Sequence, residues 1–173
     1  MEQCATRTVP VLRALLDNLP YTFMIALGAA LLWLSAAQAA WRWPAALLYG
    51  AYGVAGALWI MLFVCPWCHF YDTRQCPCGY GRIAARLRGR QDPSGFARQF
   101  RRHIPVIVPL WIVPLLAGGI ALLPHFSAGL LALLTVFAVN SFVVLPLVSR
   151  KYGCATCPQK AGCPWMGTCK STH

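Results

Sequence analysis

Four stretches of this chain contain no charged residue: Leu19–Trp41, Pro44–Val64, Ile104–Leu123 and Phe126–Val148, each 20 to 23 residues long. A hydrocarbon core of about 30 Å takes about 20 residues of helix to cross, so each stretch is one bilayer span in length. Burial in a soluble bundle would require polar outer faces, which these segments lack. The chain is 11% charged and 58% hydrophobic, where a soluble domain carries roughly 25% charged residues. The expected fold class is an all-α integral membrane protein with four transmembrane helices.

The connections set the pairing. Arg42 and Trp43 separate the first two spans, and Pro124 and His125 the last two. Links this short force antiparallel neighbours, which predicts two tight helical hairpins, 19–64 and 104–148. An amphipathic N-terminus (1–18), a Cys- and Arg-rich segment (65–103) and a Cys-rich tail (149–173) flank them. Ala37-Gln38-Ala39 has the small-residue pattern of a signal-peptidase site. The apolar run before it is longer than a signal core, so the first span is expected to stay.

Basic residues decide the sides. Fourteen of the fifteen Lys and Arg lie at the N-terminus (Arg7, Arg13), in the central segment (eight arginines) and in the tail (Arg150, Lys151, Lys160, Lys170). Four spans put those regions on one side, and Arg42 alone lies on the other. Basic residues near span ends stay in the cytoplasm. Both termini and both cysteine segments are therefore expected on the cytoplasmic side of a bacterial-type inner membrane. A net charge of +11 suits anionic headgroups. No nucleic-acid recognition motif accompanies the arginines, so nucleic acid is not an expected partner.

Eight of the nine cysteines form two groups, one after each hairpin: CPWCHFYDTRQCPCG from Cys65 and CATCPQKAGCPWMGTC from Cys154. The ninth, Cys4, reads as a bystander. Cytoplasmic thiols are kept reduced, which points to metal or redox work; inverted topology would instead turn the eight into disulfides. In C-x2-C a short turn aims two thiolates at one ion, and a second pair completes a tetrahedral site. The expected metal ligands are Cys65, Cys68, Cys76 and Cys78 in one group and Cys154, Cys157, Cys163 and Cys169 in the other, with shared ligands open. Zinc ribbons join two C-x2-C pairs, whereas each group here has one. Iron–sulfur sites take more varied spacings, often with Pro after a ligating Cys, and Cys65, Cys76, Cys157 and Cys163 all precede Pro. Iron–sulfur clusters relaying electrons to a membrane complex or quinone are the leading expectation. The alternative is a zinc-stabilised structural or assembly subunit; a third is thiol-based redox or sulfur chemistry, favoured by Arg74 or Lys151 near the C-x2-C pairs.

Both halves run as a Pro-initiated hairpin, then C-x2-C, then Cys-Pro, at offsets of 85 to 89 residues, as a parallel duplication would. No ionisable residue lies inside a span, where ion-coupled transporters place them. The four carboxylates (Glu2, Asp17, Asp72, Asp92) form no acid–base pair, so hydrolysis is unsupported. Any enzymatic role would be that of an oxidoreductase component. No histidine sits within a span to hold haem, while His69 beside Cys68 is a further candidate ligand. RIAARLRGR and FARQFRRH, joined by a turn at Asp92–Gly95, read as short interfacial amphipathic helices, as does Val9–Leu16. Asn140 and Ser141 are expected to bond to a neighbouring helix. Pro105 is expected to start the third span, with Pro109 and Pro114 bending it. So small a chain points to further membrane or soluble redox subunits as partners.

Overall fold

The computed structural model describes residues 9–124, 126–154, 157–160, 163 and 165; among them there are helices and turns and no strand. Four helical runs are long and apolar enough to cross a membrane: Val11–Ser35, Ala39–Trp67, Pro93–Leu122 and Ala128–Cys154. Leu47, Leu48, Leu116, Ile120 and Leu147 on these runs are each more than half exposed. Apolar exposure on that scale suits lipid rather than water.

The regular elements are α1 (Val11–Ser35), α2 (Ala39–Phe63), α3 (Tyr80–Leu87), α4 (Phe96–His103), α5 (Pro109–Leu122) and α6 (Ala128–Val139). After α6 the helix widens into a π-helical turn at Asn140–Val144, tightens over α7 (Leu145–Val148), and widens again at Ser149–Cys154. The described chain groups into two compact units. One comprises Leu19–Ala57 and Val106–Pro146; the other comprises the described residues of Met1–Asn18, Leu58–Pro105 and Leu147–His173 and holds the seven described cysteines.

In the first of these units, small residues let helices approach. A methyl group added at Gly28 of α1 would lie 2.4 Å from the Tyr49 hydroxyl of α2, and one added at Gly118 of α5 would lie 2.9 Å from Leu134 of α6. Pro114 inside α5 has no N–H to offer the Leu110 carbonyl. Tyr49 supplies that donor with its hydroxyl at 2.7 Å, and the Tyr52 hydroxyl reaches the Val106 carbonyl. The Asn140 amide donates to the Pro20 carbonyl at 3.0 Å, so it bonds to a neighbouring helix as its sequence position predicts, whereas the buried Ser141 hydroxyl beside it meets no partner among the described residues.

Four boundaries differ from the sequence reading. Val9–Leu16 is not a separate helix: α1 runs unbroken from Val11 to Ser35, and the turn-forming pair Asp17-Asn18 stays helical, Asn18 donating to the Ala14 carbonyl at 2.7 Å. The break between the first two helices falls at Ala36–Gln38, ahead of Arg42–Trp43. There the Arg42 guanidinium lies over the Trp33 ring at 5.2 Å and Trp43 meets the same ring edge-on at 6.1 Å, which shields the charge within α2. Pro109 rather than Pro105 opens α5, its missing donor being harmless at a first position. Pro20 lies inside α1, whereas Pro105 lies in the tight turn Ile104–Ile107, so these two do not occupy matching positions of a repeat.

Candidate functional site

The cysteine unit starts where α2 ends. Cys65-Pro66-Trp67 makes one tight turn in which the Cys68 N–H donates to the Cys65 carbonyl at 3.0 Å. The tail makes the same closure, Cys157 N–H to the Cys154 carbonyl at 3.1 Å. Each C-x2-C pair is therefore a hydrogen-bonded turn, which is what its spacing implies.

Cys76-Pro77-Cys78 is built differently. Gly79 follows at φ +75°, a conformation that glycine adopts without steric penalty. This reversal brings the Gly79 N–H to the Cys76 carbonyl at 3.2 Å and the Gly81 N–H to the Cys76 sulfur at 3.3 Å. The Cys76 and Cys78 sulfurs lie 3.8 Å apart. The Cys78 hydrogen bond, helped by backbone N–H groups of Gly81, Gly79 and Cys78, draws the Cys76 thiol down to about 6 against the effect of burial. Cys78, the donor of that bond, is pushed well above the ordinary thiol range. Cys76 is thus the sulfur best prepared to be a thiolate, the form that binds metal and attacks as a nucleophile.

The tail lies against this first segment at two points. Gln159 accepts from the His69 N–H at 2.8 Å and donates to the Trp67 and Pro93 carbonyls at 3.3 and 2.9 Å, so one side chain grips the backbone on both sides of Cys68. Gly153 faces Pro77, where an added methyl would lie 3.7 Å from the proline ring. Burial pushes the Cys68 thiol up to about 12, with the Cys157, Cys76 and Cys154 sulfurs adding to it. From α1, Asn18 donates to the Cys78 carbonyl at 2.9 Å, and Arg13 lies over the Tyr152 ring at 4.3 Å.

Seven of the eight cysteines expected as ligands, Cys65, Cys68, Cys76, Cys78, Cys154, Cys157 and Cys163, belong to this unit; Cys169 lies outside the described residues. Cys76 and Cys163 are buried and the other five half-buried. Among the described residues, no group of three or more Cys, His, Asp or Glu side chains stands arranged to hold a metal ion. His69 packs its ring edge-on against Phe70 at 5.8 Å. His103 accepts from the Trp59 indole N–H at 3.3 Å and stacks on Phe63 at 5.1 Å.

Sequence reasoning missed Gln159 and Asn18. Gln159 had a faint signal, as a long uncharged amide two residues after Cys157; Asn18 had none, because its acceptor is a backbone carbonyl. The helices α3 and α4 carry Arg82, Arg86, Arg98, Arg101 and Arg102, and the last three line an open groove with Ser94 and Gly95. No family model matches this chain, and neither a curated protein nor a solved structure is detectably similar to it.

Proposed function

We propose that this protein is a membrane-anchored thiolate metal-binding module whose cysteine segments carry iron–sulfur centres. They would pass electrons from a soluble donor to a membrane complex or quinone. The observation that carries this reading is the gathering, in one unit, of seven thiols from two segments remote in sequence, with backbone N–H groups already directed at one sulfur. N–H···S contacts favour the thiolate, and iron–sulfur centres draw on such contacts to tune their potential. An iron–sulfur group would supply one-electron chemistry; the chain's own part would be to bring the thiols together and, by their burial, partly exclude water from them.

The four spans are proposed to pair as two hairpins, with both termini and the cysteine unit on the cytoplasmic side of an inner membrane. The basic residues support this side. Helices α3 and α4 would lie at the interface with their arginines on anionic headgroups. Zinc in the same thiols would make the protein a structural or assembly subunit instead.

A second reading rests on a separate observation. The Cys76 and Cys78 sulfurs approach to 3.8 Å, with the Cys76 thiol drawn down and the Cys78 thiol pushed up, an arrangement suited to thiol-based redox or sulfur chemistry.

Metal analysis with a visible spectrum, on protein purified anaerobically in detergent, tests these readings. About eight iron with acid-labile sulfide is expected for two cubane centres. Colourless protein with about two zinc ions would move it to the structural role. Metal-free protein that loses activity when its thiols are alkylated would leave the thiol reading.

A further inference from the structure

Each cysteine segment contributes four thiols, enough in number for a site of its own. Their packing follows another pattern. Gln159 is two residues from Cys157, and its amide holds the His69 N–H at 2.8 Å and the Trp67 carbonyl at 3.3 Å; those two residues flank Cys68. Gly153 directly precedes Cys154, and it faces Pro77, the residue between Cys76 and Cys78. The tail therefore runs along the first segment, with the Cys157 turn beside Cys68 and the Cys154 end beside the Cys76–Cys78 turn. Two self-contained sites would set each C-x2-C turn against the other thiols of its own segment. Cys68 here faces the tail's Cys157 and Cys154 as well as Cys76 of its own segment.

We infer that the two cysteine segments interleave, so that the centres they hold take ligands from both, with Cys68 paired to the tail and Gln159 the positioning residue that holds the register. This rests on the metal-binding reading above, and it deepens that reading by assigning the ligands across segments. Gln159 touches no sulfur; its three bonds are to backbone, so its effect is on spacing. Fully formed buried polar contacts of this kind fix one arrangement over alternatives.

Metal retention in the full-length protein tests the inference. Cys157→Ser, in the tail, and Cys65→Ser, in the first segment, are each expected to lose the metal of both segments. Gln159→Ala is expected to keep it initially and release it to a chelator faster than the wild type. Retention of one segment's share in either serine variant overturns the inference. Where a serine variant does not fold, a short bis-thiol alkylating reagent on the reduced, metal-free wild-type chain decides. Adducts joining 65–78 to 154–163 support the interleaving, and adducts confined within each segment overturn it. Wild-type protein that never holds metal defeats the metal-binding reading, and the crosslinks then still report whether the segments interleave.

Discussion

Tyr49 donates its hydroxyl hydrogen to the Leu110 carbonyl at 2.7 Å, at the position where Pro114 withholds the backbone donor one helical turn later. Inside a bilayer no water can take that place. Tyr49→Phe is therefore expected to destabilise the protein by about 1 kcal/mol, in line with hydrogen bonds measured within membrane bundles. Unfolding in mixed detergent and dodecyl sulfate would show it; an unmoved transition would mean the carbonyl finds another donor.

The neighbouring glycines should respond with opposite signs. A methyl at Gly28 would lie 2.4 Å from the Tyr49 hydroxyl, whereas one at Gly50 meets nothing within 4 Å. Gly28→Ala is expected to destabilise by about 1–3 kcal/mol through overpacking. Gly50→Ala should instead stabilise by up to about 1 kcal/mol through helix propensity. The same unfolding assay compares them, and equal shifts would contradict the packing described.

Cys76 should titrate apart from the other thiols. In the folded, metal-free chain it gives up its proton near pH 6, while in the unfolded chain it holds it up to the ordinary thiol range. Between those limits the unfolded state binds more protons, so the contribution of Cys76 to stability grows as pH rises and is lost as pH falls towards 6. Cys78 acts with the opposite sign above the ordinary thiol range, because it keeps its proton on folding. Alkylation rates resolved by residue should give a low midpoint for Cys76, and Cys78→Ala should raise it. A midpoint that ignores Cys78 would remove their hydrogen bond from the account.

Gly81→Ala tests the backbone share of that effect. The added methyl would lie 2.7 Å from the Phe70 carbonyl oxygen, a backbone atom that cannot swing aside. The expected result is a displaced Gly81 N–H, a higher Cys76 midpoint and slower metal uptake, with the spans still inserted. Unchanged alkylation would show that Cys78 acts alone on Cys76.

The proposed sidedness is open to direct labelling. A membrane-impermeant maleimide added to spheroplasts should leave the native cysteines unmodified and should modify Gln38→Cys, placed at the exposed break between α1 and α2. The reverse pattern would invert the topology and recast the cysteine unit as an oxidising-side structure.

What the sequence made legible was set by rules of length and spacing. Charge-free runs of span length read directly as helices, and C-x2-C read directly as turns, because both depend on residues close in sequence. The break at Ala36–Gln38 is hidden, since a lone Arg42 reads as a turn residue and its cover by the Trp33 ring is a tertiary contact. The Gln159 contacts were hidden for another reason. Their partners are backbone groups 66 to 92 residues away, and backbone groups carry no sequence signature.

The contact between Gln159 and His69, spanning 90 residues, also orders the birth of the protein. The first cysteine segment leaves the ribosome before α5 and α6 have been made, so it must wait through insertion of both without its partner. Non-local contacts of this kind form late. The register between the two segments is closed only when residue 159 emerges, so a chain stalled during insertion leaves the first segment's backbone around Cys68 without its Gln159 partner.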